Sequence, residues 1–201
     1  KVSGGLHGVG ASVVNALSTD LRVEVCREGI LYAQEYKKGI PQEKVKKIGK
    51  GEITGTKVIF TPDKTIFETI EFDRKRVLDH LRQQTYLTKS VKMEVVDLRD
   101  EKNPWFYAFY FDGGLLSFTN YLSHRDKHLQ ETTFYIEKAV GKVGVEVALT
   151  YTDDVETKEL SFANNIYTLD GGMHLTGFRS ALTRVLNDYA RANNYIREND
   201  E

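Results

Sequence analysis

Gly4-Gly5-Leu6-His7-Gly8-Val9-Gly10, running directly into Ala11-Ser12-Val13-Val14-Asn15-Ala16-Leu17, is the stretch on which the reading of this chain turns. Four glycines in seven residues serve no packing purpose. They let the backbone approach a ligand closely and take positive φ. The residues that follow have helical periodicity, so the loop ends at a helix N-terminus. Free N–H groups and the positive end of the macrodipole gather there and suit a polyphosphate. The stretch therefore predicts a nucleotide-phosphate loop. It is not a Walker A loop, because no Lys follows Gly10. A Rossmann fingerprint needs a strand just before it and an acidic residue about twenty positions on. Only Lys1-Val2-Ser3 precede the loop, and Glu24 and Glu28 read as ordinary strand or turn residues. Taken as generic glycines, the loop could equally be a plain turn before a helix.

Composition narrows the class. With 201 residues and a 40% apolar fraction, the chain can build one large domain or two small ones. The 28 basic and 29 acidic residues leave a net charge of −1, which argues against a dedicated DNA-binding module. Cys26 is the only cysteine, so no intramolecular disulfide framework exists and a reducing compartment fits. No apolar run approaches membrane-spanning length, and no signal-peptide pattern is present. The sequence begins without Met and inside a motif, which points to a fragment.

Periodicity gives a coarse map. Leu21 to Cys26 alternates and reads as a strand, Glu28-Gly29 as a turn, and Ile30 to Tyr36 as the hairpin partner. Lys37 to Lys50 reads as a solvated basic loop with room for a short strand. Thr56 to Phe60 is a strand ended by Pro62-Asp63. Glu71 to Leu87 is a helix with Val77, Leu78 and Leu81 on one face. Two strands, 91–98 and 105–111, precede a helix marked by Leu115, Phe118, Tyr121 and Leu122. The charged connector 123–128 is the expected boundary between domains 1–125 and 126–201. Strands follow at 132–138, 143–151 and 158–164. Leu175, Phe178, Leu182, Val185, Leu186 and Tyr189 then trace one face of a long helix. Helices alternate irregularly with hairpins, which is an α+β pattern. The aromatics Tyr107, Phe109, Tyr110 and Phe111 read as core rather than as a base-stacking platform, since no Lys or Arg is interleaved. His80, His124, His128 and His174 lack the spacing of a zinc site.

The string Lys1 to Ser18 closely resembles the second glycine box of the GHKL ATPases. The version is that of the B subunits of bacterial type IIA topoisomerases, gyrase and topoisomerase IV. Thr54-Gly55-Thr56-Lys57-Val58 looks like the family's third box, and Tyr110-Phe111-Asp112-Gly113-Gly114 like the start of the helix closing the ATPase domain. Val143 to Leu149, Phe162 to Ile166, and Asp170-Gly171-Gly172-Met173-His174-Leu175-Thr176-Gly177-Phe178-Arg179 look like successive pieces of the transducer domain. The matches fall in family order and span nearly the whole chain. The resemblance implies the C-terminal part of a layered α/β sandwich over 1–125. The first part of a smaller α/β transducer would occupy 126–201.

The resemblance also implies roles. Gly5, Leu6, His7, Gly8, Val9, Gly10 and Ala11 would meet the phosphates of ATP, and the loop would order as a lid. Thr56 would hydrogen-bond near the adenine, and Val58, two residues on, could pack by the base or serve as plain core. His7 could equally be a surface loop residue. The family's general-base glutamate, the asparagine that holds Mg²⁺ and the adenine-reading aspartate are expected upstream of Lys1. A γ-phosphate-contacting lysine is expected beyond Glu201, so the chain alone is expected to be inactive. It is also expected to expose apolar surface and aggregate. The implied partners are the A subunit in an A2B2 assembly, DNA through that assembly, and a second copy of the same subunit on ATP binding. The implied location is the bacterial cytoplasm, with no membrane partner. The run Phe178 to Asn187 looks more like gyrase than topoisomerase IV. A non-catalytic interaction module derived from the family is the rival reading, and the intact glycine loop argues against it.

Overall fold

Alternating β-branched and polar residues after Leu17 build the first sheet. The computed structural model describes residues 8–196. They form two compact units that divide between Val77 and Leu78. In the first unit a short helix, α1 (Gly10–Ala16), leads into β1 (Ser18–Arg27) and β2 (Ile30–Lys37). β3 (Ile40–Pro41), β4 (Lys46–Lys50) and β5 (Gly55–Pro62) complete the sheet. The strand order is β3-β2-β1-β5, with β4 also paired to β2. Glu28 and Gly29, at φ 54° and 74°, make the two-residue turn that matches strand twist in a hairpin. The basic stretch 37–50, expected as a loop, thus contributes two short strands.

Register assigns the two faces of this sheet. Leu21, Val23 and Val25 stand beside Tyr36, Gln34 and Tyr32 on β2, and beside Phe60, Val58 and Thr56 on β5. That face is mostly apolar. The opposite face carries Arg22, Glu24, Glu35 and Lys57. There Arg22 Nε lies 2.8 Å from Glu24 and its guanidinium also pairs with Glu35. The apolar face is open at β5, where Val58 is 53% and Phe60 41% exposed. Phe72 meets Phe60 edge to face at 6.2 Å.

α2 (Arg74–Leu87) leads into the second unit. There follow β6 (Met93–Asp97), β7 (Trp105–Phe109), α3 (Gly114–Leu122), β8 (Phe134–Val140) and β9 (Val143–Leu149). The unit closes with β10 (Phe162–Ala163), β11 (Ile166–Tyr167) and α4 (Met173–Ala192). β6–β7, β8–β9 and β10–β11 are antiparallel hairpins. Its core is aromatic. Tyr86 stacks on Phe111 at 3.8 Å and on Phe118 at 4.8 Å, and Phe109 beside them is 2% exposed. Arg82 lies over the rings of Phe109 and Tyr121 and donates to the Tyr121 hydroxyl at 2.8 Å. Phe109 is thus core, as expected, and Phe111 is half-buried against Tyr86, while Tyr107 and Tyr110 stay substantially exposed.

The strand expected over 158–164 is only two residues long. The reason is local. Asn164 and Asn165 both take left-handed φ, 49° and 66°, and reverse the chain at once. Ser161 and Thr168 continue the ladder beyond it through hydroxyl and backbone bonds. α4 begins after Gly171 and Gly172, as expected, and runs to Ala192. Its apolar stripe is partly covered: Leu175, Phe178 and Leu182 are half-buried, whereas Val185, Leu186 and Tyr189 are exposed.

Candidate nucleotide-binding site

Gly5, Leu6 and His7 lie outside the described residues, as does Gly4. The rest of the loop is described. Gly8 takes φ +65°, a conformation that favours glycine, and no heavy atom stands within 4 Å of where a Cβ would sit at Gly8 or Gly10. Val9 is the N-cap of α1, and no side chain caps that end. The Val13 N–H donates to Val9 O at 2.9 Å. The amides of Gly10, Ala11 and Ser12 therefore precede the first helical bond and have no carbonyl within the helix to bond. These features leave three backbone donors without a partner inside the helix, which is what an anion needs.

A short helix with no buried residue must be held from outside, and α1 is held at its C-terminal end. The Asp63 N–H donates to Leu17 O, and the Lys38 N–H to Ser18 O, both at 3.0 Å. The Ser18 hydroxyl donates to Val14 O at 2.6 Å. Gly39, at φ +83°, passes so close that a Cβ would stand 3.4 Å from Ala16 Cα. Asp63 fixes this corner. It is 1% exposed and lies 2.7 Å from the Lys38 ammonium. Thr65 donates to it from its N–H at 2.9 Å and its hydroxyl at 2.8 Å. The Lys38 ammonium, together with the Thr65 donors, lowers the Asp63 carboxyl to about 2. Sequence reading used Pro62-Asp63 only as a strand terminator. The signal was there in the spacing of Asp63 and Thr65, which suits a side chain bonding its own backbone two residues on.

Thr56 and Val58 stand on β5, opposite Val25 and Val23. They share the open apolar face of the sheet, and α1 contacts β1, β2 and β5 of the same sheet. Val58 is not core among the described residues; it is half-exposed. The loop residues Gly8 to Ala11 and the pair on β5 thus belong to one compact unit.

Elsewhere the polar groups are mutually engaged. His128 Nε2 lies 2.9 Å from the Ser123 hydroxyl, and His124 Nδ1 2.6 Å from Tyr121 O, so both tie the connector to α3. A pocket of about 290 Å³ at the start of α4 is lined by Glu159, Ser161, Thr168, Asp170 and Arg179. The Arg179 guanidinium there is committed to the Glu159 carboxylate. Among the described residues no group of three or more His, Cys, Asp or Glu side chains could hold a metal ion. No helix there is long and apolar enough to cross a membrane.

The family model for DNA gyrase B matches residues 114–201. The gyrase B protein of Clostridium acetobutylicum is 45% identical over 202 aligned residues, covering all of this chain and 31% of that protein. That of Halalkalibacterium halodurans is 45% identical, again over all of this chain and 31% of the relative. The chain thus spans about a third of the length of these relatives. Among solved structures, the 43K ATPase domain of Thermus thermophilus gyrase B, crystallised with an aminocoumarin, superposes with a TM-score of 0.81 at 37% identity. The match covers 96% of this chain and 53% of that one. The gyrase B protein of Myxococcus xanthus, at 24% identity and a TM-score of 0.80 over 89% of this chain and 52% of that one, shares the fold. With 45% identity to gyrase B proteins along its whole length, the chain belongs to the DNA gyrase B family.

Proposed function

We propose that this chain is part of the ATP-operated gate in the ATPase subunit of a type IIA topoisomerase, DNA gyrase, which couples ATP turnover to negative supercoiling. The observation that carries the reading is the uncapped N-terminus of α1, with the amides of Gly10, Ala11 and Ser12 preceding its first hydrogen bond. Gly5, Leu6, His7, Gly8, Val9, Gly10 and Ala11 bind the β- and γ-phosphates through backbone amides. Thr56 hydrogen-bonds beside the adenine, and Val58 packs near the base. The open space around Gly8 and Gly10 fits a phosphate. On this reading Mg²⁺ is held by an asparagine of the parent protein upstream of Lys1.

The division of labour follows. Residues 1–125 belong to the ATPase domain and 126–201 to the transducer, a functional boundary that falls within the compact unit beginning at Leu78. ATP orders the glycine loop, and two copies of the ATPase subunit close on each other. The transducer relays that state to the A subunits of an A2B2 complex in the cytoplasm, where DNA is cut and passed. On this reading the general base and the γ-phosphate lysine come from other parts of the parent protein, and the stretch alone is expected not to hydrolyse ATP.

The test is ATP turnover by the intact parent subunit with its A partner, with and without duplex DNA. Stimulation by DNA together with supercoiling of relaxed plasmid is the expected result. Relaxation and decatenation without supercoiling would assign topoisomerase IV instead. Turnover indifferent to DNA would remove the topoisomerase reading.

A further inference from the structure

Lys89 sits just past the C-terminus of α2, in a turn closed by the Val91 N–H donating to Thr88 O. Its stem runs across Gly114, the first residue of α3. Gly114 takes φ +53°, and a Cβ there would stand 2.8 Å from Lys89 Cγ and 3.1 Å from Cδ. Only glycine leaves that passage open. Beyond it the ammonium enters the polar face of the β8–β9 hairpin. It donates to the Tyr135 hydroxyl at 2.5 Å and to Glu137 at 2.9 Å, and pairs with Glu146 at 2.9 Å. The Tyr135 hydroxyl itself lies 2.9 Å from Glu137 and 2.8 Å from Glu146.

Glu137 and Glu146 are direct cross-strand partners. Two carboxylates so placed repel each other unless a cation lies between them. Partial burial pulls the Lys89 ammonium down, but its bonds to Glu137, Tyr135 and Glu146 outweigh that and hold it above the ordinary lysine range. β9 also contacts α3, while on the hairpin's far side Phe134, Ile136, Val140, Val143 and Val145 are exposed and only Val147 and Leu149 are half-buried. A second tie runs from the same end of α2. Gln84 donates to Asn165 O at 3.3 Å, and Asn165 donates to the Thr88 hydroxyl at 3.4 Å.

We infer that Lys89 is a positioning residue, a pin that passes the Gly114 gap and fixes the β8–β9 hairpin to the α2–α3 segment. Through it the ATPase portion drives the transducer. This role rests on the gate reading above.

Lys89→Met keeps the stem across Gly114 and removes the charge. Glu146→Gln leaves Lys89 in place and weakens the cup from the other side. Both are made in the intact parent subunit, assembled with its A partner. Hydrogen exchange over residues 134–149 is expected to quicken by about tenfold, the loss of a charge-assisted bond, while β1–β2 amides hold. DNA-independent ATP turnover is expected to hold, while supercoils introduced per ATP fall by about tenfold on the same reasoning. Unchanged exchange over 134–149 in both variants would overturn the pin. Unchanged supercoiling per ATP, or an equal loss of turnover and supercoiling, would overturn the coupling role. A wild-type parent with no DNA-linked turnover would defeat the gate reading instead, and the exchange result separates that failure from a failed pin.

Discussion

Two apolar strand faces in this molecule have opposite fates. On β7, Phe109 is 2% exposed, closed in by Phe111, Tyr107 and the Arg82 guanidinium. On β5, Val58 and Phe60 alternate in the same way but stand half open. Alternation says which side chains share a face; it does not say what covers that face. The covered face is where the second unit gains stability. The open one leaves apolar surface of the first unit in solvent.

The sharpest way to break this contrast is to truncate both faces. Phe109→Ala removes a fully buried ring and is expected to destabilise by about 3–5 kcal/mol in urea unfolding. Val58→Ala on the open face is expected to change stability by less than about 1 kcal/mol by the same measurement, because little burial is lost. Equal losses would mean that the two faces are packed alike.

A smaller effect belongs to the loop. Gly8→Ala forces a Cβ into φ +65°, at about 1–2 kcal/mol. Calorimetric titration of the intact parent with a non-hydrolysable ATP analogue should show affinity reduced by about tenfold, the equivalent of ~1.4 kcal/mol. Thr56→Ala removes a single hydroxyl and is expected to weaken the same binding by about 0.5–1.5 kcal/mol, with the fold unchanged by circular dichroism.

The finest test is pH. The folded Asp63 carboxyl titrates near 2, below its ordinary 3.8. Its tie to Lys38 and Thr65 therefore contributes stability above about pH 3.8 and is lost as pH falls towards 2. Asp63→Asn should flatten that part of the stability profile, read by thermal melting between pH 5 and 2. An unaltered slope would show that the corner does not hold α1 through this charge.

Much of the fold was legible in the sequence because its signals are local. The β1–β2 hairpin follows from alternation and a Glu28-Gly29 turn, and α4 from a stripe beginning at Leu175 after two glycines. What was not legible depends on residues far apart in sequence. The Asp63–Lys38 corner joins two turns across the sheet, and Lys89 meets Glu146 only after α3 and β8 are placed. The short β10 is a different failure. Asn164-Asn165 is a hairpin turn written in the sequence and read as strand. For the glycine loop, the string itself suggests a phosphate site, whereas the fastening that holds α1 in position, at Leu17 and Ser18, is visible only in the structure.

The most direct measurement is backbone hydrogen exchange of the intact parent subunit with and without a non-hydrolysable ATP analogue. Protection of the amides of residues 8–12, with β6–β7 unchanged, is the expected result. Exchange at residues 8–12 that is indifferent to the nucleotide would contradict it.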